Sequence, residues 1–428
     1  MCGQNIRKNC ILLARTDIFL YLCRLIYVIA EKGTIAVMKL KETFRNMPLI
    51  VRVLIAIVLG IAVGGFSPEW LVRGMKTFNG LFDEILHFII PLIIVGLVTP
   101  AIADVGRQAK RLLLLTAAIA YTATVLAGLL GYGVSDWLFP QIVGEEAKEL
   151  AAEGMAVAPY FAIGIPPLMG VMTALVTAFL LGLGIAAFGA PVLKQAFDEL
   201  KQIITLAIEK LIVPLLPIYI FGLFLEMTWK GEVGQVLVDF VQIILIILVL
   251  TLMLLLAQYL VAGAVVRRNP FRLLWTMLPA YLTALGTSSS AATIPVTLRQ
   301  TIKNGVSEPI AGFVVPLCAT IHLSGSMLKI VSCSVAVMLL NGMSFDTPLM
   351  LGFILMLGIT MVAAPGVPGG AIMAAVGLLE SMLGFSPEQQ GMMITLYIAM
   401  DSFGTACNVT GDGAIALMID KISGKVAE

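Results

Sequence analysis

Residues 397–412 read YIAMDSFGTACNVTGD. Asp401, Thr405, Asn408 and Asp412 recur at offsets of four, seven and eleven, so on a helix they share one stripe. The flanks, MMITLYIAM before and GAIALMI after, are almost wholly apolar. That places the stripe inside a membrane. A carboxylate at the bilayer centre costs roughly 2.5–3.5 kcal/mol on insertion scales. A chain that accepts the cost twice on one helix face is expected to handle cations or polar solutes there.

Working outward, the composition points to the same solvent. Hydrophobic residues make up 59% of the chain and charged ones 12%, about half the charge fraction of a soluble domain. The net charge of +1 is uninformative, and no Lys/Arg run is fit for nucleic acid. Cys2, Cys10, Cys23, Cys318, Cys333 and Cys407 lack metal-ligand spacing and mostly fall in apolar stretches, as buried or free thiols do. Residues 1–48 form an N-terminal extension and lead-in. Cys10 to Ala30 is interrupted by Arg15, Asp17 and Arg24, so it makes a poor spanning helix, and no cleavage site follows it. Met38 opens the basic lead-in MKLKETFRNMP, which marks it as the expected true start, with 1–37 a mis-called leader.

Six spans are expected near Leu49–Phe66, Ile85–Ala103, Leu112–Phe139, Pro166–Ala190, Ile203–Met227 and Val236–Val266. Basic residues alternate between their connections: Lys39, Lys41 and Arg45, then Arg107, Lys110 and Arg111, then Lys194 and Lys201, then Arg267, Arg268 and Arg272. The opposite loops are short or acidic, such as GEEAKELAAEG at 144–154. By the positive-inside rule the N-terminus is cytoplasmic. After Arg272 the hydrophobic segments become discontinuous. YLTALGTSSSAATIP at 281–295 and MVAAPGVPGGAI at 361–372 are poor straight helices, because backbone freed by Gly and Pro needs partners that lipid lacks. Two such segments in corresponding positions are expected to be re-entrant hairpins meeting at mid-membrane. Between them Pro309–Leu340 is broken by CATIHLSGS at 318–326. Loop charges close only if both interrupted segments return to the side they entered, which leaves Lys421 and Lys425 cytoplasmic. The expected fold is an all-α polytopic membrane protein of eight transmembrane helices plus two re-entrant helical hairpins. Residues 49–266 supply six helices, and 270–428 the core that carries the hairpins.

Each polar constellation has a bland alternative. SSSAATIP offers hydroxyls and free N–H groups to an anion, or small residues for helix packing. APGVPGG offers a flexible gate or exposed carbonyls for a cation, or a plain turn. On the stripe, Asp401 suits an amino group and Asp412 a cation, with Asn408 between; the alternative is an internally paired network. His322 and Lys329, seven apart on the broken central helix, share a face. Each is a relay or a tethered cation, or else a hydrogen-bonded His and a Lys snorkelling outward.

These motifs together resemble the dicarboxylate/amino acid:cation symporters, which include the glutamate and neutral amino acid transporters. The resemblance runs from about Met38 to the C-terminus. It rests on PLLPIYIFG at 214–222, SSSAATIPVT at 288–297, ATIHLSG at 319–325, GVPGG at 366–370 and DSFGTACNVTGD at 401–412. It implies a homotrimer in which a trimerisation scaffold carries a mobile transport domain in an elevator motion, the third and sixth spans moving with that domain. It assigns the substrate α-amino group to Asp401 and the substrate carboxylate to Asn408 with Thr405. Ser289 and Ser290 would lie at the inner hairpin tip, Val367 and Gly369 at the outer. Asp412, Asn408 and the backbone near Cys318 would frame one sodium site; backbone near Thr320 and the outer hairpin would frame another.

The departures are informative. Members that take acidic substrates carry an Arg three residues after the Asp, and this chain has Gly404 there, with Ser288 rather than Arg before the serine run. The usual NMDGT reads HLSGS at 322–326, so Ser324 replaces an Asp that normally serves a further sodium site, while Lys329 adds a positive charge that the family pattern does not explain. The expected function is therefore secondary active symport of a small neutral amino acid. Sodium is the expected coupling ion, with protons as the alternative, and His322 or Lys329 replaces one cation. No organic cofactor is expected. A dicarboxylate or another organic solute is the alternative substrate. An intramembrane serine protease, read from GTSS at 286–289 with His322 as base, leaves the carboxylate stripe unexplained. A channel does not need an occluded two-hairpin site. The expected partners are substrate, bilayer and sister subunits, in a bacterial inner membrane.

Overall fold

A computed structural model describes residues 47, 49–107, 111–142, 157–231, 233–362, 364–366 and 368–424. Residues 1–46, the acidic segment at 144–154, Lys110, Val367 and Lys425 lie outside the described residues, as do the expectations placed on them. The chain divides into two compact units, Met1–Arg52 and Val53–Glu428. Of the first, only residue 47 and the start of one helix are described. The second carries everything that follows.

The described residues form helices and connections, without a strand among them. Helix α1 is Leu49–Gly64, α2 Glu69–Arg107, α3 Arg111–Leu138 and α4 Val171–Phe188. Helix α5, Pro191–Ala207, runs through a π turn at Ile208–Ile212 into α6, Val213–Trp229; α7 is Val233–Val266. Five stretches are long and apolar enough to cross a membrane: Glu69–Ala103, Leu112–Gln141, Pro191–Trp229, Val238–Val266 and Glu308–Leu340. Glu226, on α6, is held by Lys76 of α2 at 2.7 Å and by Lys230 at 3.1 Å.

Three expected spans have different bounds. The segment Ile85–Ala103 is the second half of α2, because Arg73, Lys76, Asp83 and Glu84 interrupt the hydropathy without interrupting the helix. At 39 residues α2 extends about 58 Å, well beyond the ~30 Å of a hydrocarbon core. The span expected from Pro166 begins at Val171 and ends where Gly189 takes a left-handed φ of 63°. The span expected from Ile203 begins at Pro191, a proline at the first helical position. Lys194 and Lys201 consequently stand on a helix and not in a loop.

The C-terminal part breaks where its sequence breaks. After the short α8, Pro270–Thr276, come α9, Leu278–Thr287, and α10, Ser290–Lys303, packed on each other as a hairpin. Ser288 ends α9 with a left-handed φ of 51°, and the Ser289 hydroxyl caps α10 by accepting the Ala292 N–H at 3.3 Å. Helices α11, Glu308–Ile321, and α12, Ser324–Leu340, are separated by His322 and Leu323. A second hairpin joins α13, Thr347–Met361, to α14, Gly370–Leu383. Its turn needs glycine. Gly369 has a φ of 74°, and a Cβ on Gly370 would collide with the Pro365 carbonyl. Ser386 and Gln389 form a capping box that starts α15, Pro387–Ala399, and a break at Met400 leads into α16, Asp401–Gly424. Helix α16 packs against α7, α9, α10, α11 and α12, and α3 lies along α12.

Candidate functional site

The breaks put helix ends in the middle of the protein, and helix ends carry unpaired backbone groups. Asp401 opens α16 where α15 stops. Ser324 opens α12 where α11 stops. From α16, the Asn408 side-chain oxygen accepts the N–H of Gly325 at 2.7 Å and that of Ser326 at 3.3 Å. Asn408 thus caps a helix on which it does not lie. Its amide donates to the Ser326 hydroxyl at 3.0 Å, which also accepts from the Tyr397 hydroxyl at 3.0 Å. Such close approach of α12 to α16 requires Gly325, where a Cβ would fall 2.7 Å from both Cys407 Cβ and the Gly404 carbonyl.

All four stripe residues, Asp401, Thr405, Asn408 and Asp412, are buried. One oxygen of Asp401 accepts the Gly369 N–H at 2.8 Å, which ties it to the tip of the second hairpin. Its other oxygen lies 3.8 Å from the Lys329 ammonium. Lys329 is fully buried, donates to the Met400 carbonyl at 3.1 Å and stands 4.0 Å from the centre of the Tyr397 ring. Snorkelling outward is thereby excluded. Gly404 makes this possible, since a Cβ there would collide with Cε and Nζ of Lys329.

About three helical turns further along α16, His322 Nδ1 lies 2.9 Å from Asp412 Oδ1, both buried. The His322 N–H donates to the Cys318 carbonyl at 2.9 Å. Ser324 accepts from the Gln258 amide of α7 at 2.9 Å. The donors that the resemblance gives to the first sodium ion are therefore already engaged: Asp412 with His322, Asn408 with the α12 N-terminus, and the Cys318 carbonyl with His322. Thr320 turns its hydroxyl to the Leu317 carbonyl at 2.7 Å.

At the hairpin tips, the Ser289 hydroxyl donates to the Gly366 carbonyl at 2.9 Å, and Ser288 and Ser402 hydroxyls meet at 2.6 Å. Ser290 is buried at the first turn of α10. A cavity of about 540 Å³ opens beside the contact, walled by Ser289, Thr320, Pro365, Gly366, Thr205 and Lys201 among others. The serine run thus meets the second hairpin and α16, while His322 meets Asp412. Among the described residues no serine–histidine pair of the protease kind forms. Cys318, Cys333 and Cys407 are free and buried.

A model of the sodium:dicarboxylate symporter family matches residues 49–422. The chain belongs to that family. It is a family of membrane transporters and not of enzymes. A serine/threonine transporter (SstT) of Acinetobacter baumannii is 26% identical over 405 residues, covering 89% of this chain and 98% of that protein. Excitatory amino acid transporter 3 of Mus musculus is 38% identical over 169 residues, covering 38% of this chain and 31% of that protein.

The stripe and the hairpin tips gain partners here that sequence reading did not foresee. Tyr397, Gln258, Ser402 and the Met400 carbonyl belong to the polar core, and sequence reading assigned them no role. Gln258 had one signal, as the lone strongly polar residue within LLLAQYLVAG of the sixth span. Tyr397 stands four residues before Asp401, at the stripe's own spacing, but on the preceding helix, and only the break at Met400 turns it towards Ser326 and Lys329.

Proposed function

We propose that this chain is a secondary active, cation-coupled symporter that moves a small neutral amino acid across the membrane by alternating access. The observation that carries the reading is Asp401: a buried carboxylate at a helix start, bonded to the tip of one hairpin and close to the other. An ammonium is the group such a carboxylate asks for. Position 404 offers no guanidinium to grip a second carboxylate, and the one cation nearby is held under Tyr397. The A. baumannii serine/threonine transporter, alike over nearly its whole length, supports a neutral substrate. In this reading Thr405 and Asn408 face the substrate carboxylate, Ser289 and Ser290 line the inner gate, and Gly369 with Val367 the outer.

The same proposal includes eight spans and two re-entrant hairpins, a scaffold drawn mostly from residues 49–266, a transport core from 270–428, and a homotrimer with cytoplasmic termini in the inner membrane. Sodium is the coupling ion, as the family name supports, at a lower count than a site with free Asp412 and Asn408 donors would hold. His322 fills the space beside Asp412, and Ser324 cannot bring a carboxylate. A dicarboxylate or other organic acid is the second reading, favoured by the Lys329 charge.

The test is uptake of a panel of labelled amino acids and dicarboxylates into proteoliposomes, under separate sodium and proton gradients. Sodium-driven uptake of serine, threonine or alanine without aspartate is expected. Uptake of succinate with none of an amino acid would contradict the reading.

A further inference from the structure

Lys329 is a charged group of the core to which the amino-acid site gives no role. It reaches from α12 towards α16 through the gap left by Gly404, and it is wholly enclosed. A buried ammonium needs a carboxylate or several dipoles around it. Here its closest partner is the Met400 carbonyl at 3.1 Å, followed by Asp401 Oδ1 at 3.8 Å and the Tyr397 ring at 4.0 Å. The distance to Asp401 is ion-pair contact but too long for a hydrogen bond. Lys329 therefore balances the Asp401 charge without using up that oxygen as an acceptor. It also keeps the Met400 carbonyl and the aromatic face if a second ammonium takes Asp401. Asp412 has a separate partner in His322, so the two carboxylates of the stripe do not share one.

We propose that Lys329 is a tethered counter-cation. It keeps Asp401 neutralised when no substrate ammonium is bound, so the unloaded transport core crosses the bilayer without taking an exchangeable cation into that place. The inference rests on the assignment of Asp401 to the substrate amino group. A carboxylate stripped of Lys329 would have to cross bare, which low dielectric opposes. A loaded core keeps Asp401 paired, because the substrate places its own ammonium there while its carboxylate meets the Thr405 and Asn408 side chains.

The consequence separates two measurements on one sample. Exchange of labelled L-serine for unlabelled L-serine uses only loaded crossings. Net uptake into serine-free vesicles needs the unloaded return. In Lys329→Met proteoliposomes net uptake is expected to fall by about tenfold or more relative to wild type, while exchange stays within about threefold. Retained exchange also shows that the variant folds. In Lys329→Ala, methylammonium inside the vesicles should restore net uptake by filling the emptied space with a free cation. Net uptake equal to wild type in Lys329→Met, or net uptake and exchange lost together, overturns the inference while leaving the amino-acid reading standing. Absence of exchange in wild-type vesicles for serine and every other amino acid overturns that reading and this inference with it.

Discussion

Asp401, Gly404 and Lys329 act as one unit. In the proposed function the carboxylate recognises the substrate ammonium and the lysine is its counter-charge; Gly404 leaves the space in which the two meet. Asp401→Asn is expected to abolish uptake and to lower the melting temperature, since the amide still accepts the Gly369 N–H but leaves the buried Lys329 ammonium without its carboxylate; a lower but still cooperative melting transition with no transport is the predicted pair of results. Asn408 is different. Its oxygen satisfies two backbone N–H groups at the start of α12, and a buried donor left unpaired costs about 1–3 kcal/mol. Asn408→Ala is expected to lower the melting temperature as well as uptake, and Asn408→Asp, which keeps the acceptor, to recover most of the stability. Equal stability of the two variants would contradict the capping role. The stripe itself was legible from spacing, because four polar residues at helical offsets in an apolar segment have few other meanings. Their partners were not. Periodicity places Lys329 on a face of its helix, yet says nothing of the Gly404 gap that admits it.

The two hairpins owe their shape to residues that end helices. Ser288 and Gly369 take left-handed backbone, and Ser289 caps the next helix. Their tips touch through the Ser289 hydroxyl and the Gly366 carbonyl at 2.9 Å. If opening one hairpin from the other is part of transport, a Ser289→Cys, Gly366→Cys pair should cross-link under mild oxidation and stop uptake, and reduction should restore it. Efficient cross-linking with unchanged uptake would show that the tips do not need to part. Gly370→Ala, whose Cβ collides with the Pro365 carbonyl, is expected to impair uptake without unfolding the long helices. The interruptions were legible because Gly, Pro and consecutive hydroxyls leave backbone groups that a straight apolar helix cannot satisfy. The true length of α2 was hidden for the opposite reason. Its charged residues lower hydropathy, on which the spans were drawn, but are compatible with helix.

At the scale of the whole molecule, the polar core is a chain of internal pairs: Asp401 with Lys329, Asp412 with His322, Asn408 with the α12 N-terminus, and Ser324 with Gln258. The groups that would bind coupling cations are largely engaged by protein groups, which predicts fewer ions moved per solute than a set of free carboxylates would give. A stoichiometry of one sodium per solute, measured as paired isotope fluxes in proteoliposomes, is the expected outcome; three would contradict it. The central claim is that Asp401 serves a solute carrying an ammonium but no second carboxylate. The most direct measurement is concentrative uptake of labelled serine and labelled aspartate, side by side, under one inward sodium gradient. Accumulation of serine above its external concentration, with aspartate at background, is the predicted result. Accumulation of aspartate with serine at background would contradict the account and make Lys329 a binding site for the substrate's own carboxylate.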